Sequence, residues 1–208
     1  MITENLLLLW LAALPLMGSP GPATISLAAT GSAFGIRPSL GYLCGIIAGT
    51  TGVLILTATG VATALLAHPV AGNILTLIAA AYILYLAWKI ATAPVSPATS
   101  SRLNPESAEN PENTAPDFRG GLMLAIANPK AFAAIGAVYA SHHITLQSAW
   151  LNNGLKIAAL ALVIAAVNTI WLIFGAGFSR LLSSPRAGRV INIIFAVMLI
   201  VSVGFAVL

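Results

Sequence analysis

Two short motifs in this chain of 208 residues combine a helix-capping residue with proline in the middle of an apolar segment. The first motif comprises Ser19, Pro20, Gly21 and Pro22, and the second comprises Asn128, Pro129 and Lys130. Ser and Asn are favoured N-caps, and proline is favoured at the first helical position. Each motif therefore predicts the start of a new half-helix. In the first motif that start is expected at either Ser19-Pro20 or Gly21-Pro22.

The chemistry predicted for both motifs is the binding of a small anion. The N-terminus of a helix presents unpaired N–H groups and about half a positive charge, so two such ends near each other favour a carboxylate. Gly21 lets a ligand approach the backbone closely, and Lys130 adds a full positive charge. We therefore predict that all residues of the two motifs form a substrate site. The alternative is that the prolines only kink their helices and that Lys130 snorkels or points into a packed interior.

A few other polar residues lie in or beside the apolar segments. Lys156 is predicted near the outer end of the fifth segment with its ammonium reaching the membrane surface. Asn168, deeper in the same segment, is predicted to hydrogen-bond a neighbouring helix. Both are secondary candidates for the substrate site. We interpret His68, His142 and His143, which lie in connections between segments, as interfacial residues, with proton sensing as the alternative.

The positions of the acidic residues and of the single cysteine limit the chemistry further. The acids are Glu4, Glu106, Glu109, Glu112 and Asp117, and none is deep in an apolar segment. An exporter of bare cations or metals would need carboxylates inside the membrane, so we predict neither a metal site nor a cofactor. Cys44 has no histidine at a suitable depth to act as its base, so the chain is not predicted to be an enzyme.

The composition places the protein in a membrane. It is 59% hydrophobic and 7% charged, with a mean hydropathy of +0.96, whereas soluble domains carry about 25% charged residues. The nine Lys and Arg residues are scattered and form no basic face, which excludes a nucleic-acid partner. The N-terminal residues 1–4 lack the basic region of a signal peptide, so we expect the first segment to be retained.

Six apolar runs are long enough to span a bilayer. They cover approximately residues 5–33, 39–67, 70–92, 118–141, 149–176 and 186–208. As a straight helix the first would reach about 43 Å, against a hydrocarbon core of about 30 Å. A bilayer tolerates broken helices only inside protein or beside a polar cavity, because no water satisfies the freed backbone groups. The predicted fold is an all-α integral membrane protein of six transmembrane helices, with helices 1 and 4 broken at the proline motifs.

The six segments fall into two halves. Residues 1–92 form the first three-helix repeat, residues 93–117 a linker rich in Pro, Asn and Glu, and residues 118–208 the second repeat. Three helices per half predict that the second repeat is inverted in the membrane. A shift of 109 residues superimposes Pro20 on Pro129, which supports an inverted repeat.

The orientation follows from the cations in the connections. Seven of the nine lie on one side of the predicted spans: Arg37, Lys89, Arg102, Arg119, Arg180, Arg186 and Arg189. We therefore predict a multi-pass protein of the cytoplasmic membrane, with both termini outside and the linker in the cytoplasm.

Glycines four residues apart mark the second segment. They are Gly41, Gly45 and Gly49, and Gly31 and Gly35 end the first segment. Such spacing lets helices pack closely, and we interpret it as scaffold. A homodimer contact or a moving interface remains the alternative.

At these motifs the chain resembles the lysine and homoserine/threonine exporter family (LysE/RhtB) nearly end to end. The resemblance is carried by the Pro-Gly-Pro run at 20–22, the glycines above, the aromatic stretch 82–89 and the Asn-Pro-Lys-Ala run at 128–131. It implies six spans and the export of amino acids or derivatives, in most cases driven by the proton motive force. It also implies that residues 20–22 and 128–130 form the functional core. The chain departs from the family in its linker and at residues 139–143, where we expected aromatics and a proline.

The sequence thus predicts a secondary transporter that exports small, neutral amino acids by alternating access around a midplane site. The amino acid is its predicted small-molecule partner, and the coupling proton is implied only by the resemblance. Two alternatives stay open: an exporter of inorganic cations or metals from the wider superfamily, and a membrane scaffold subunit without transport of its own.

Overall fold

A computed structural model describes residues 2–61, 69–93, 114–142, 144, 148–181 and 185–207 of the chain. This part of the chain is helical and contains no strand. Its helices are, in order, α1 (Ile2–Gly18), α2 (Pro22–Phe34), α3 (Ile36–Ala58), α4 (Pro69–Thr92), α5 (Phe118–Ala127), α6 (Pro129–Ser141), α7 (Ala149–Leu181) and α8 (Pro185–Val207). The all-helical prediction is confirmed. Residues 94–113 of the predicted linker, His68 and His143 lie outside the described residues.

Both proline motifs interrupt a helix, as predicted. α1 and α2 meet at an angle of 65°, and α5 and α6 meet at 61°. Each pair is long and apolar enough to cross a membrane when it is counted as one span. The bends arise because proline cannot donate a backbone hydrogen bond and clashes with the preceding turn.

The other helices match the predicted spans to different extents. α3 and α7 are each long and apolar enough to cross a membrane, which gives up to four spans with the two bent pairs. α4 and α8 contain shorter apolar stretches, Ala80–Thr92 and Gly188–Ser202. The total of six spans and the inverted repeat therefore stay predictions. The predicted second segment, 39–67, is interrupted: α3 ends at Ala58, because Gly60 takes a positive φ of 77° that ends the helix, and residues 62–67 lie outside the described residues.

α2 is the centre of the molecule. Residues 22–31 are all buried, and α2 packs against α3, α4, α5, α7 and α8. Its buried hydroxyls are satisfied within this core: Ser26 Oγ donates to the Ala23 carbonyl at 2.8 Å, and Tyr42 Oη donates to Ser26 Oγ at 3.0 Å. A half-helix wrapped on all sides is what a broken span requires in a membrane.

Glycines bring helix backbones into direct contact on one side of the two breaks. We call this the linker side, because α5 begins there and α2 ends there. Gly45 of α3 lies against the backbone of Phe118, and Gly121 of α5 lies against the backbone of Tyr42. A side chain at Gly45 or Gly121 would overlap the neighbouring helix, so glycine is required by the close approach. The predicted scaffold contact is thus made within the chain, between α3 and α5.

Other glycines make no such contact. A Cβ added at Gly52 of α3, Gly136 of α6 or Gly154 of α7 would meet no atom of the described residues within 4 Å. The same holds for Gly35 and Gly177 on the linker side, so the close backbone contacts are confined to particular glycines. Large apolar side chains cover the outside of the bundle, among them Trp88 and Trp150, which are 71% and 81% exposed. Such a surface suits lipid.

Candidate functional site

The side chain of Lys130 joins the two breaks. Lys130 stands in the first turn of α6, and its Nζ donates to the carbonyl of Ser19 and, at 3.2 Å, to the carbonyl of Pro20. These carbonyls follow the C-terminal end of α1, where the helix dipole is negative. The ammonium thus stabilises the end of α1 while it holds α6 beside it. The motifs around Pro20 and Pro129, which are 109 residues apart in sequence, are neighbours in space.

Gly21 is needed for this approach because of space. A Cβ at Gly21 would lie 3.0 Å from Nζ of Lys130 and closer still to Cδ. The backbone of Gly21 is extended, with φ of −170°, so any residue adopts its conformation. The Lys130 side chain occupies the space beside the Gly21 backbone, and the predicted approach of a ligand there stays a prediction.

The second half of the first span begins at Gly21-Pro22, one of the two starts that the sequence allowed. Gly21 is the N-cap of α2, and its N–H donates to Thr24 Oγ1 at 2.9 Å. Ser19 does not cap α2: its Oγ donates to the Leu16 carbonyl at 3.0 Å and belongs to the end of α1. The first intrahelical bond runs from Ile25 N–H to the Gly21 carbonyl. The N–H groups of Ala23 and Thr24 precede it and have no partner within the helix.

The start of α6 is capped differently. Asn128 is its N-cap, as predicted, and Asn128 Oδ1 accepts from the Lys130 N–H at 3.1 Å. The Asn128 carbonyl accepts from the Ala131 N–H at 3.0 Å. These bonds satisfy the first N–H groups of α6, since Pro129 has none. The two helix starts are therefore capped differently: α2 by the hydroxyl of Thr24, and α6 by the side chain of Asn128.

Two residues at the site were not predicted from the sequence. Thr24 caps α2 three residues after Gly21, which is the spacing of a capping box and is a usable signal. Trp171 of α7 donates its Nε1–H to the Gly18 carbonyl at 3.0 Å. No local pattern signals the role of Trp171, because its partner is 153 residues away in the sequence.

A small cavity opens beside Lys130, between α1, α2, α3, α6 and α7. Its volume is about 40 Å³, and its polar lining residues are Thr24, Thr50, Asn128, Lys130 and Asn168. A wider groove of about 510 Å³ borders it and is lined by Pro20, Gly21, Pro22, Pro129, Lys130 and Ser202. Gly21 and Lys130 line both spaces. The small cavity has room for water, and the lysine side chain stands between it and the groove.

Asn168 lies at the cavity but makes no bond between helices. Its Nδ2 donates to the Ile164 carbonyl of the same helix at 2.8 Å, so the predicted helix–helix hydrogen bond is wrong. The side chain is 5% exposed, and its Oδ1 has no partner among the described residues. Asparagine has enough reach to bond the carbonyl four residues earlier, and Asn168 is one of the residues that line the cavity.

Lys156 is buried, which corrects the prediction that it reaches the membrane surface. It is 3% exposed, its Nζ donates to the Tyr139 carbonyl at 2.5 Å, and the ammonium lies 3.9 Å from the centre of the Tyr139 ring. A carbonyl and an aromatic face near the end of α6 thus replace water around the charge. Lys156 does not line the cavity.

Within the described residues, no group of three or more His, Cys, Asp or Glu side chains is placed to hold a metal ion. Cys44 is exposed on the surface of α3, and His142 is half-buried with its Nδ1 2.8 Å from Ser141 Oγ. The residues around the cavity supply the ammonium of Lys130, the N–H groups at the start of α2 and the side-chain amide of Asn168. Such groups are of the kind that orient small polar ligands in pockets.

Comparisons with known proteins agree along most of the chain. The family described as LysE type translocator matches residues 14–208. A cysteine/O-acetylserine efflux protein of Salmonella paratyphi A is 32% identical over 184 residues, which cover 88% of this chain and 87% of the relative. A protein of the same description from Escherichia coli O1:K1 / APEC is 30% identical over 185 residues, with the same shares of both chains covered. No solved structure gives a significant match. The chain therefore belongs to the LysE type translocator family.

Proposed function

We propose that this protein exports small neutral amino acids or their derivatives, of the cysteine and O-acetylserine class, from the cytoplasm. The observation that carries the proposal is the meeting of Lys130 with the start of α2 at one cavity inside the bundle. The names of the similar efflux proteins supply the substrate class.

The substrate carboxylate would bind between Lys130 and the start of α2. The ammonium is held by backbone carbonyls, and no described carboxylate pairs with it. A substrate carboxylate would form a charge-assisted bond in its place, and the N–H groups of Ala23 and Thr24 would donate to the other oxygen. Substrate binding would then draw Lys130 away from the end of α1 and join the cavity to the groove.

The cavity walls support a short, uncharged substrate side chain. Met17, Ala131, Ala134, Ile135, Ile164 and Val167 line them. No acid lines the cavity, so a cationic side chain would lack a counter-ion there. The volume of about 40 Å³ is smaller than any amino acid, so binding would require the bordering helices to separate.

The close contact between α3 and α5 supports alternating access. Backbone contacts at Gly45 and Gly121 pack the two helices together on the linker side. With the linker in the cytoplasm and the termini outside, this conformation is closed to the cytoplasm. Two inverted repeats with similar bends, 65° and 61°, would exchange these packings as the site opens to the other side.

Transport by inverted membrane vesicles tests the proposal. Export from the cytoplasm becomes uptake into such vesicles, and an imposed pH gradient, acid inside, supplies the driving force. We expect saturable uptake of O-acetylserine and cysteine, little uptake of lysine or glutamate, and loss of uptake with a protonophore. Vesicles that take up none of these compounds faster than vesicles without the protein would contradict the proposal. Uptake insensitive to the protonophore would exclude proton coupling.

A further inference from the structure

One buried polar atom at the cavity has no use in the carboxylate site. Three buried side-chain atoms of the described residues lack a hydrogen-bond partner: Tyr139 Oη, Asn152 Oδ1 and Asn168 Oδ1. Of these, only the oxygen of Asn168 belongs to a residue that lines the cavity beside Lys130. Buried polar groups are nearly always paired in folded proteins, so an unpaired one at a cavity marks a place for a ligand group.

The chemistry of the missing partner follows from the amide. The Nδ2 of Asn168 donates to the Ile164 carbonyl at 2.8 Å, which fixes the orientation of the amide because a carbonyl accepts only from the nitrogen. The free atom is therefore the oxygen, an acceptor. The ligand group that completes it must be a donor.

We propose that Asn168 accepts a hydrogen bond from the α-ammonium group of the substrate. This inference rests on the proposed function. The carboxylate would bind at Lys130 and the start of α2, and the ammonium would bind at Asn168 of α7, on another wall of the same cavity. The two ends of a zwitterion would thus be recognised by residues from both halves of the chain.

A neutral acceptor suits an exporter. An aspartate at this position would leave an unpaired buried charge in the empty transporter, at a large cost in free energy. An amide oxygen leaves only an unpaired dipole, which costs less free energy in the empty transporter. The substrate is therefore released more easily. The site would then prefer compounds with a free α-amine over carboxylates of the same shape.

Competition against labelled O-acetylserine in proteoliposomes of the full chain tests this role. The probes are cysteine, N-acetylcysteine and 3-mercaptopropionate, which share the thiol and the carboxylate but differ at the amine. The wild type should bind cysteine at least about tenfold more tightly than 3-mercaptopropionate. Asn168→Leu should weaken the binding of cysteine about tenfold and leave the binding of 3-mercaptopropionate unchanged, so the preference for cysteine is abolished.

Two further variants make the result specific. Asn168→Asp should retain the preference, because its carboxylate also accepts from an ammonium. Asn192→Leu is the matched control, since Asn192 is equally buried at 3% exposure but does not line the cavity; it should behave as the wild type. If Asn168→Leu fails to accumulate, Asn168→Ala provides the same comparison.

The outcomes separate the two proposals. An Asn168→Leu or Asn168→Ala protein that still prefers cysteine as strongly as the wild type overturns the role of Asn168 and leaves the proposed function standing. A wild-type protein that none of the three probes inhibits overturns the proposed function itself.

Discussion

At the scale of single residues, the site depends on how helix ends are satisfied inside a bundle. The end of α1 is stabilised by Lys130 and Trp171, whose donors reach the carbonyls of residues 18–20. The start of α2 is capped by Thr24. A broken helix in a membrane must find such partners, because no solvent replaces them.

Thr24 is expected to stabilise the start of α2 through its hydroxyl. Thr24→Val preserves the shape of the side chain but removes the acceptor for the Gly21 N–H, which should lower the stability by about 1–2 kcal/mol. Thr57→Val is the control, because the Thr57 hydroxyl only bonds the Val53 carbonyl in the preceding turn of α3. Thermal unfolding of the purified proteins in detergent measures both. Equal midpoints for the two variants would contradict the capping role.

Local chemistry predicted part of this site and left the rest open. The cap at Asn128, the break at Gly21-Pro22 and the need for space at Gly21 follow from residue types and short spacings. The partners of Lys130, Asn168 and Trp171 could not be predicted, since they depend on which helices become neighbours. Lys156 was mispredicted for the same reason: the carbonyl and the ring that contact its ammonium belong to Tyr139 on another helix.

At the scale of elements, glycines pack α3 and α5 together on the linker side. Gly45 and Gly49 of α3 lie against the backbone of residues 118–122, and α5 returns the contact with Gly121. The glycine spacing predicted a close helix contact but could not name the partner. The helix bounds were predicted well where proline or a polar run ended a segment, and poorly where the apolar run continued past Ala58.

Replacing Gly45 should disturb this contact. A Cβ in Gly45→Ala would overlap the Phe118 carbonyl, so the helices must separate, at a cost of about 1–3 kcal/mol. Gly52→Ala on the same helix is the matched control, because no described atom lies within 4 Å of its Cβ position; it should match or exceed wild-type stability. The unfolding midpoint in detergent distinguishes them. A Gly45→Ala protein as stable as Gly52→Ala would show that the contact is not close.

At the scale of the whole molecule, the bundle has a predicted orientation in the membrane. The side packed through glycine backbones is taken as cytoplasmic, from the cations in the connections. The bends, the buried α2 and the lysine between the motifs lie where the two halves of the chain contact each other. The orientation and the count of six spans rest on the sequence.

Labelling with a membrane-impermeant maleimide tests the orientation. The chain has a single cysteine, so Cys44→Ala provides a background without thiols. In intact cells a cysteine introduced by Thr3→Cys should react, and one introduced by Ser101→Cys should react only after the membrane is opened. The reverse pattern would place the linker outside and contradict the predicted orientation.

The central claim is that Lys130 binds the substrate carboxylate, and the affinity for O-acetylserine tests it most directly. Half-saturation of uptake should be measured in proteoliposomes for the wild type, Lys130→Ala and the control Lys89→Ala, which removes a cation at the end of α4. Because Lys130→Ala loses a charge-assisted bond, it should weaken the affinity for O-acetylserine by about 10–100-fold, whereas Lys89→Ala should not. A Lys130→Ala protein that is folded and transports O-acetylserine with wild-type affinity would contradict the account.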